Sequence, residues 1–262
     1  MEDGQLPFTE HLDELRKRLV IIAIAVGIGF LASYGFSEQL YMLLAMPIKA
    51  VMQEDNSFIF TSLTEAFFTY LKLALFSGII LASPVILYQI WAFVAPGLYR
   101  KEKKYALPFV ILSTFFFLTG VMFCFLVVFP IACKFFAGFA ESGIIEMKLK
   151  MSDYLSFSCK FMLAFGAVFE MPIFILFLSR MGIVTHIQLK QNRKYVLILA
   201  FVVSAILTPP DIVSQVLMAV PLILLYELSI VIAKIFGKKR EKLDENDEAD
   251  STEESEEKPP EE

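Results

Sequence analysis

The chain is poor in the residues that bind metals, form disulfides or hold nucleotides. Only three cysteines and two histidines occur among its 262 residues. Cys124, Cys133 and Cys159 stand alone, with neither a CxxC pair nor the His/Cys spacing of a zinc site, so we expect buried thiols and no metal centre. Walker A, GxGxxG and GxSxG motifs are also missing, which predicts a protein that has no cofactor and is not an enzyme.

Charged residues are scarce too, at 19% of the chain, whereas 57% of the residues are hydrophobic and 27 are Phe. The mean hydropathy is +0.65. A soluble chain of this length could not bury so much apolar surface, but a chain that crosses a membrane several times need not bury it. The composition therefore predicts an all-α membrane protein.

Six apolar runs predict six transmembrane helices, since about 20 helical residues cross the hydrocarbon core of a bilayer. The first run is too long for the core of a cleaved signal peptide. The fifth run has only 13 residues and the sixth is also short, which predicts a thinned bilayer or tilted neighbouring helices. Segments 37–65 and 133–153 are expected to be outer loops, and 227–236 a helical extension at the membrane surface. The runs cover residues 19–36, 66–91, 108–132, 154–178, 195–207 and 212–227.

The basic residues are distributed unevenly between the two sides. Fourteen Lys and Arg lie in the N-terminal segment, in the loops after the second and fourth spans and in the segment after the sixth. Only four lie in the loops after the first and third spans. This bias places both termini in the cytoplasm. Residues 241–262 carry 12 acids and two Lys, a net charge of −10, which leaves +5 for residues 1–240. We therefore expect a membrane domain over residues 1–236 and a disordered charged tail over 237–262.

Two carboxylates lie among basic and aromatic residues on the predicted cytoplasmic side. Glu14 is part of an amphipathic turn before the first span, and Glu102 lies in the loop that follows the second span. Carboxylates bind guanidinium groups in a bidentate geometry that Lys cannot reproduce, so a pair of them could accept an Arg-containing peptide. The alternative is that both are ordinary solvated acids paired with nearby Lys or Arg.

Polar residues inside or beside the spans are a second group of candidates. Glu170 falls in the middle of the fourth span, where an ionisable group is expensive and usually faces a cavity or a partner; a protonated acid bonded within the bundle is the alternative. Asp211 could cap the sixth span, while Thr208 and Gln215 could bond a partner helix. Lys72 and Lys160 lie nearer the ends of their spans and are expected to extend toward the interface.

Several segments, in this order along nearly the whole chain, resemble the TatC family, the multispanning subunit of the twin-arginine protein translocase. Each segment alone is a weak signal, but together with the six predicted spans they are specific. They are HLDELRKRL (11–19), SPVILYQIWAFVAPGLYRKEKK (83–104), YLSF (154–157), FGAVFEMP (165–172), RKYVL (193–197) and LTPPDIVSQ (207–215).

The resemblance implies a glove-shaped protein of six helices in the cell inner membrane. It implies a Sec-independent translocase subunit that binds twin-arginine signal peptides of folded cargo and works with single-span TatA/TatB-type partners, with self-association in the complex and with energy from the proton motive force. No nucleic acid is implied. The residues that it assigns are Glu14, Arg16, Phe93 and Glu102 for signal-peptide binding, Glu170 as the intramembrane polar group, Pro47 and Asp211 as functional residues of the outer loops, and Thr208 and Gln215 for partner binding.

Two other functions are compatible with the residues alone. A small-solute or ion transporter would use Glu170 as a coupling acid and would move solute without partner subunits. A membrane scaffold would use the acidic tail as its docking segment. A translocase would show no solute flux alone and would keep working without residues 241–262.

Overall fold

A computed structural model describes residues 8–52, 58–59, 61–94, 106–138, 148–208 and 211–237. Helices make up nearly all of this part of the chain. The helices are α1 (Phe8–Tyr34), α2 (Ser37–Lys49), α3 (Glu65–Val94), α4 (Ala106–Phe123), α5 (Phe129–Gly138), α6 (Met151–Phe169), α7 (Met171–Arg180), α8 (His186–Gln191), α9 (Arg193–Leu207) and α10 (Ile212–Phe236), and a π-helical turn, Cys124–Val128, joins α4 to α5. The strands β1 (Phe58–Ile59) and β2 (Leu149–Lys150) form a parallel pair.

Each of the six predicted spans lies on a helix. Four helical stretches are long and apolar enough to cross a membrane alone: Glu65–Val94, Leu107–Gly138, Met151–Arg180 and Ile212–Phe236. The first span lies on α1, which meets α2 at a bend of 85°. The fifth span corresponds to α9, which has only 15 residues, as its short apolar run predicted. The sixth continues without a break to Phe236, so the predicted extension after Glu227 is helical.

Helix α2 was not predicted, because Pro47 and the polar residues that follow it were interpreted as signs of a loop. Its buried residues, Tyr41, Leu44, Ala45 and Ile48, recur at helical spacing, which fixes one apolar face. Pro47 lies within the helix and is buried. The second predicted loop is likewise shorter than expected, since α5 runs to Gly138 and α6 begins at Met151.

Two sets of contacts between helices mark the two ends of the bundle, which we call the near end and the far end. At the near end, the start of α1 meets the end of α3, where Arg18 contacts Gln89. At the far end, the start of α3 meets the start of α6, where Glu65 contacts Ser152. Between these ends α1 and α3 touch closely: a Cβ added to Gly29 would lie 2.6 Å from the backbone oxygen of Gly78.

Aromatic side chains fill much of the core of the bundle. Phe129, Phe161 and Phe165 are almost fully buried, and Phe129 stacks on Phe161 with ring centroids 6.1 Å apart. Cys124 and Cys133 are buried, as expected, whereas Cys159 is half-buried. The core therefore holds α4, α5 and α6 together along the middle of the molecule.

A smaller cluster packs α8, α9 and α10 near the end of α7. The hydroxyl of Tyr226 donates to the backbone oxygen of Leu189 at 2.8 Å. Arg193, at the start of α9, donates through Nη2 to Oε2 of Glu227 at 2.5 Å. Both side chains of this ion pair are nearly half-exposed, at 47% and 43%, so we expect it to add little stability.

Candidate functional site

Four residues at the near end form a connected group, the near-end cluster: Glu14, Arg18, Gln89 and Ala92. Arg18 Nε donates to Glu14 Oε1 at 3.0 Å, and Arg18 Nη2 donates to the same oxygen. The same guanidinium group also donates to α3: Nη1 donates to Gln89 Oε1 at 3.0 Å, and Nη2 donates to the Ala92 backbone oxygen at 3.1 Å. One arginine therefore fixes a carboxylate of α1 against the last turns of α3.

The local sequence explains this geometry. Glu14 and Arg18 are separated by one helical turn, the spacing at which opposite charges on one helix meet. The guanidinium group is planar and has five donors, so it can bond a carboxylate and a second helix at once. The side chains of Arg18 and Glu14 keep only 21% and 27% of their exposure, so bulk water screens this pair less than it would a surface pair.

The carboxylate of Glu14 keeps an oxygen for another donor. Both bonds from Arg18 reach Oε1, and within the described ranges no donor reaches Oε2. A carboxylate can accept at both oxygens, so Oε2 can bind the guanidinium or ammonium group of a ligand. Arg16, two residues further along α1, is exposed, and Phe93 is half-buried in the last turn of α3. Glu102, the second predicted acceptor, lies outside the described residues.

A buried contact links this end of α3 to the interior of the bundle. Trp91 Nε1 donates to Ser113 Oγ of α4 at 2.7 Å, and both side chains are buried. The Ser113 hydroxyl in turn lies beside the carboxyl group of Glu170. Because Trp91 is next to Ala92, the near-end cluster and the intramembrane acid are separated by only two side chains.

Glu170 lies where α6 ends and α7 begins. Pro172, at the start of α7, lacks a backbone N–H and so cannot continue the helical hydrogen bonding; it is among the most deeply buried residues. Glu170 is about 28 Å along the helix from Met151, at 1.5 Å per residue, which places it well inside the spanning segment. Its Oε1 is buried and has no hydrogen-bond partner among the described residues. This oxygen can therefore accept a bond from a ligand or a water molecule.

At the far end, another glutamate joins two helices. Glu65 Oε2 accepts from the Thr61 backbone N–H at 2.6 Å and from the Thr61 hydroxyl at 3.0 Å, and Oε1 accepts from the Ser152 backbone N–H at 3.2 Å. The Tyr154 hydroxyl also donates to the Leu44 backbone oxygen at 2.8 Å. These bonds fix the starts of α3 and α6 and the helix that contains Pro47.

The other three predicted residues lie at the junction of α9 and α10: Thr208 and Asp211 between the two helices and Gln215 in the first turn of α10. Asp211 caps α10, because its Oδ1 accepts from the Ser214 backbone N–H at 2.7 Å, and this confirms the capping interpretation. Thr208 donates to the Ser204 backbone oxygen at 2.8 Å, and Gln215 Nε2 donates to the Phe201 backbone oxygen at 3.0 Å. Both polar residues already have partners within α9, so another helix would have to use their remaining donors and acceptors.

Sequence reasoning did not name Arg18 or Gln89 as site residues. It did state, as the alternative for Glu14, a pair with a nearby Lys or Arg, and the structure shows such a pair with Arg18. The spacing of Glu14 and Arg18 was a usable signal, since charges four residues apart on a helix pair readily. Gln89 gave no sequence signal for a role in a site, because a glutamine near the end of an apolar run is expected at a membrane interface in any case. Its contact with Arg18 spans 71 positions of the chain and depends on how α1 packs on α3.

The sequence and the fold were compared with those of known proteins. Residues 10–221 match a family described as Sec-independent protein translocase protein (TatC). A protein of Desulforapulum autotrophicum named Sec-independent protein translocase protein TatC is 51% identical, over 96% of this chain and 92% of its own length. A protein of the same name from Escherichia coli K12 is 40% identical, over 92% of this chain and 94% of its own length.

Solved structures give the same result for the fold. A crystal structure described as the twin arginine translocase receptor TatC superposes with a TM-score of 0.77 at 42% identity, covering 86% of this chain and 98% of that one. A second, of the same receptor in the detergent DDM, gives a TM-score of 0.76 at 40% identity. The expected all-α, six-helix membrane fold is therefore confirmed.

Proposed function

Because this chain belongs to the TatC family of Sec-independent protein translocase proteins, we propose that it is the receptor that binds twin-arginine signal peptides through its near-end cluster. It is a transport protein rather than an enzyme, and as a component of the Tat translocase it assembles with other Tat subunits. The observation that carries the proposal is the Glu14 carboxylate, fixed by Arg18 with its second oxygen available.

The shape of the guanidinium group explains why such a site would select arginine. Arg16, Lys17 and Arg18 follow Glu14 along α1, so a basic peptide is repelled on that side and needs carboxylates placed to receive it. Charge-assisted hydrogen bonds to a carboxylate are short and strong, and a guanidinium group, with five N–H donors in one plane, can bond Oε2 of Glu14 and a second acceptor at once. A lysine brings the same charge but only a point contact, so the peptide's arginines gain more from the site than lysines would.

One carboxylate is not enough for two arginines. Arg18 already occupies Oε1 of Glu14, so this residue has room for one further guanidinium group. The second arginine requires another acid, and Glu102, in the loop that follows α3, is the acid that the family resemblance assigns. The receptor therefore uses the two carboxylates together, with Phe93 as the adjacent apolar contact.

The apolar part of the signal would continue from the near-end cluster along the bundle. An apolar groove of about 700 Å³ lies in the far half, lined by α1, α2, α3 and the α4–α5 segment, and by Met162 of α6. From Glu14 to Ala32, at the edge of this groove, α1 covers about 27 Å at 1.5 Å per residue. An apolar stretch toward the longer end of the 7–15 residues of a signal peptide covers that distance if it is partly extended. Glu170, with its unpartnered oxygen, would receive a polar group of the inserted peptide.

Single-span TatA/TatB-type subunits would dock at α9 and α10, using the remaining hydrogen-bonding capacity of Thr208 and Gln215. Both termini would lie in the cytoplasm, which puts the near-end cluster on the side where signal peptides arrive. Transport would be driven by the proton motive force. Residues 1–236 would carry the activity, and the acidic tail beyond them would be dispensable.

The test is binding of signal peptides with Arg-Arg or Lys-Lys to the purified protein and to its Glu14→Gln and Glu102→Gln variants. Loss of one charge-assisted pair lowers affinity by about 10- to 150-fold, the equivalent of about 1.5–3 kcal/mol. We expect each variant to lose most of the preference for Arg-Arg. Asp13→Asn is the matched control, because Asp13 is an exposed acid in the same turn. Equal binding of both peptides, or equal effects of the Asp13 and Glu14 substitutions, would exclude the proposed site.

A further inference from the structure

A second groove lies between α6 and the end of α9, and of the candidate residues discussed so far it includes Thr208 and Lys160. It has a volume of about 690 Å³. Its walls are apolar, and its rim includes Ile206, which is 77% exposed. Within it lie an acid, a hydroxyl and a cation from α6. The lining residues are Asp153, Ser156, Phe157, Lys160, Leu163, Ala164, Ile206, Leu207 and Thr208.

The polar residues follow one stripe of α6 in a fixed order. Asp153 is in the first turn, Ser156 follows one turn later, and Lys160 follows after another. Asp153 and Lys160 are seven residues apart, about 10 Å along the helix axis, and both are exposed. A negative charge thus lies at the membrane surface, with a positive charge below it.

Lys160 is the residue that requires an explanation. A lysine within a spanning helix is costly, and it lowers this cost by extending its ammonium group toward the interface. In the part of the chain that the structure describes, no acid pairs with Lys160. The Ser156 hydroxyl also has no partner there, and Asp153 accepts only from the Ser152 hydroxyl, at 3.3 Å.

The groove extends from Asp153 to Ala164, about 16 Å of helix, with a volume of about 690 Å³. Acyl chains, each a single file of CH₂ groups, are narrow enough to lie in it.

We propose that this groove is a binding site for one phospholipid with a phosphoethanolamine headgroup. The headgroup has its primary ammonium group outermost and its phosphate below, which is the complement of Asp153 above Lys160. The ammonium group donates to the Asp153 carboxylate. The phosphate accepts from the Lys160 ammonium group and the Ser156 hydroxyl. The acyl chains lie against Phe157, Leu163 and Leu207.

The site should distinguish headgroups by both of its charges. Phosphatidylcholine carries the same phosphate, but its quaternary ammonium group has no N–H and cannot donate to Asp153. Phosphatidylglycerol has no cation and would meet the Asp153 carboxylate with a neutral headgroup terminus. Both should bind more weakly than phosphatidylethanolamine of the same acyl composition.

Native mass spectrometry of the full-length, delipidated protein tests this, with each of the three lipids titrated separately. We expect phosphatidylethanolamine to bind about tenfold more tightly than either of the others, since it alone makes both charge-assisted contacts. Lys160→Gln should lower its affinity on the order of tenfold. Asp153→Asn should remove the preference over phosphatidylcholine. Lys72→Gln is the matched control, because Lys72 is also exposed, lies seven residues into its own span and does not line the groove.

Three results would overturn the proposal: equal binding of all three lipids, tightest binding of phosphatidylglycerol, or an equal loss in the Lys72 and Lys160 variants. A single-span partner that displaces the lipid and requires Lys160 would assign the groove to a protein instead. The thermal unfolding temperature of each variant shows whether it is folded. Signal-peptide binding, measured on the same samples, should be unchanged, so this proposal and the receptor function can fail separately.

Discussion

Substitution of Arg18 separates two roles that this side chain could have in binding a basic peptide. If Arg18 positions Glu14, its removal weakens binding, because the carboxylate is no longer fixed against α3. If Arg18 competes with the peptide for Glu14, its removal strengthens binding. The contacts favour positioning, since two of the four hydrogen bonds of Arg18 reach α3 rather than Glu14.

The size of the effect follows from these contacts. Hydrogen bonds with a charged partner contribute about 1.5–3 kcal/mol, and the partial exposure of this group, 21% for the Arg18 side chain, reduces the net loss. We expect Arg18→Gln to lower peptide affinity by about 1–2 kcal/mol, a factor of about 5–30. Arg18→Lys keeps the charge but loses the planar set of donors of the guanidinium group. Its peptide affinity should lie between that of the unaltered protein and that of Arg18→Gln.

Fluorescence anisotropy with a labelled Arg-Arg signal peptide would measure these affinities, and thermal unfolding would show that the variants remain folded. Lys17→Gln is the control, since Lys17 is an exposed cation on the same turn and its loss also reduces the positive charge. Binding by Arg18→Gln that equals or exceeds that of the unaltered protein would refute the positioning role.

Three further predictions concern stability, measured as the free energy or midpoint temperature of unfolding in detergent. Glu65→Gln should destabilise the protein by about 1–3 kcal/mol, because the neutral amide cannot replace a carboxylate that accepts three hydrogen bonds. Gly29→Ala should cost about 1–3 kcal/mol by forcing α1 away from α3, whereas Gly27→Ala should not destabilise, because a Cβ there meets no atom within 4 Å. A double-mutant cycle of Arg193→Gln and Glu227→Gln should give a coupling energy of only about 0–1 kcal/mol, because the pair is nearly half-exposed.

Each of these predictions has a result that contradicts it. Glu38→Gln, at an exposed acid in the first turn of α2, is the control for Glu65; equal losses in both would mean that the bonds at the far end contribute nothing specific. Equal effects of the two glycine substitutions would show that the close approach of α1 to α3 is not required. A coupling above about 2 kcal/mol between Arg193 and Glu227 would mean that the pair is better shielded from water than its exposure in the structure indicates.

The spans could be predicted because long apolar runs have few alternatives. A run of about 20 apolar residues is stable as a helix in hydrocarbon whatever its neighbours are, so length alone predicted the first four spans. The fifth and sixth runs are shorter and were assigned from their apolar composition. Helix α2 was missed because its apolar face is short and is stabilised by packing, with Tyr41 and Leu44 buried. Local sequence does not reveal such packing when a proline lies in the same segment.

The candidate site was only partly predictable, for a related reason. Glu14 and Glu170 were identified by chemistry, as an acid among basic residues and an acid inside a span. The roles of Arg18, Gln89 and Ser113 depend on which helices are neighbours, and no spacing within one helix encodes that. Asp211 was the reverse case, since capping is a local interaction and the sequence alone predicted it.

The central claim is that the twin-arginine motif binds at the near-end cluster. Photo-cross-linking tests it most directly, with a photoreactive residue placed next to the two arginines of a signal peptide and the cross-linked peptides of the protein identified by mass spectrometry. We predict cross-links to the segment around Glu14 and to the last turn of α3 around Phe93, and their loss in a Glu14→Gln, Glu102→Gln double variant. Cross-links concentrated at the far end, around Glu65 or Thr208, or unchanged in the double variant, would contradict the account.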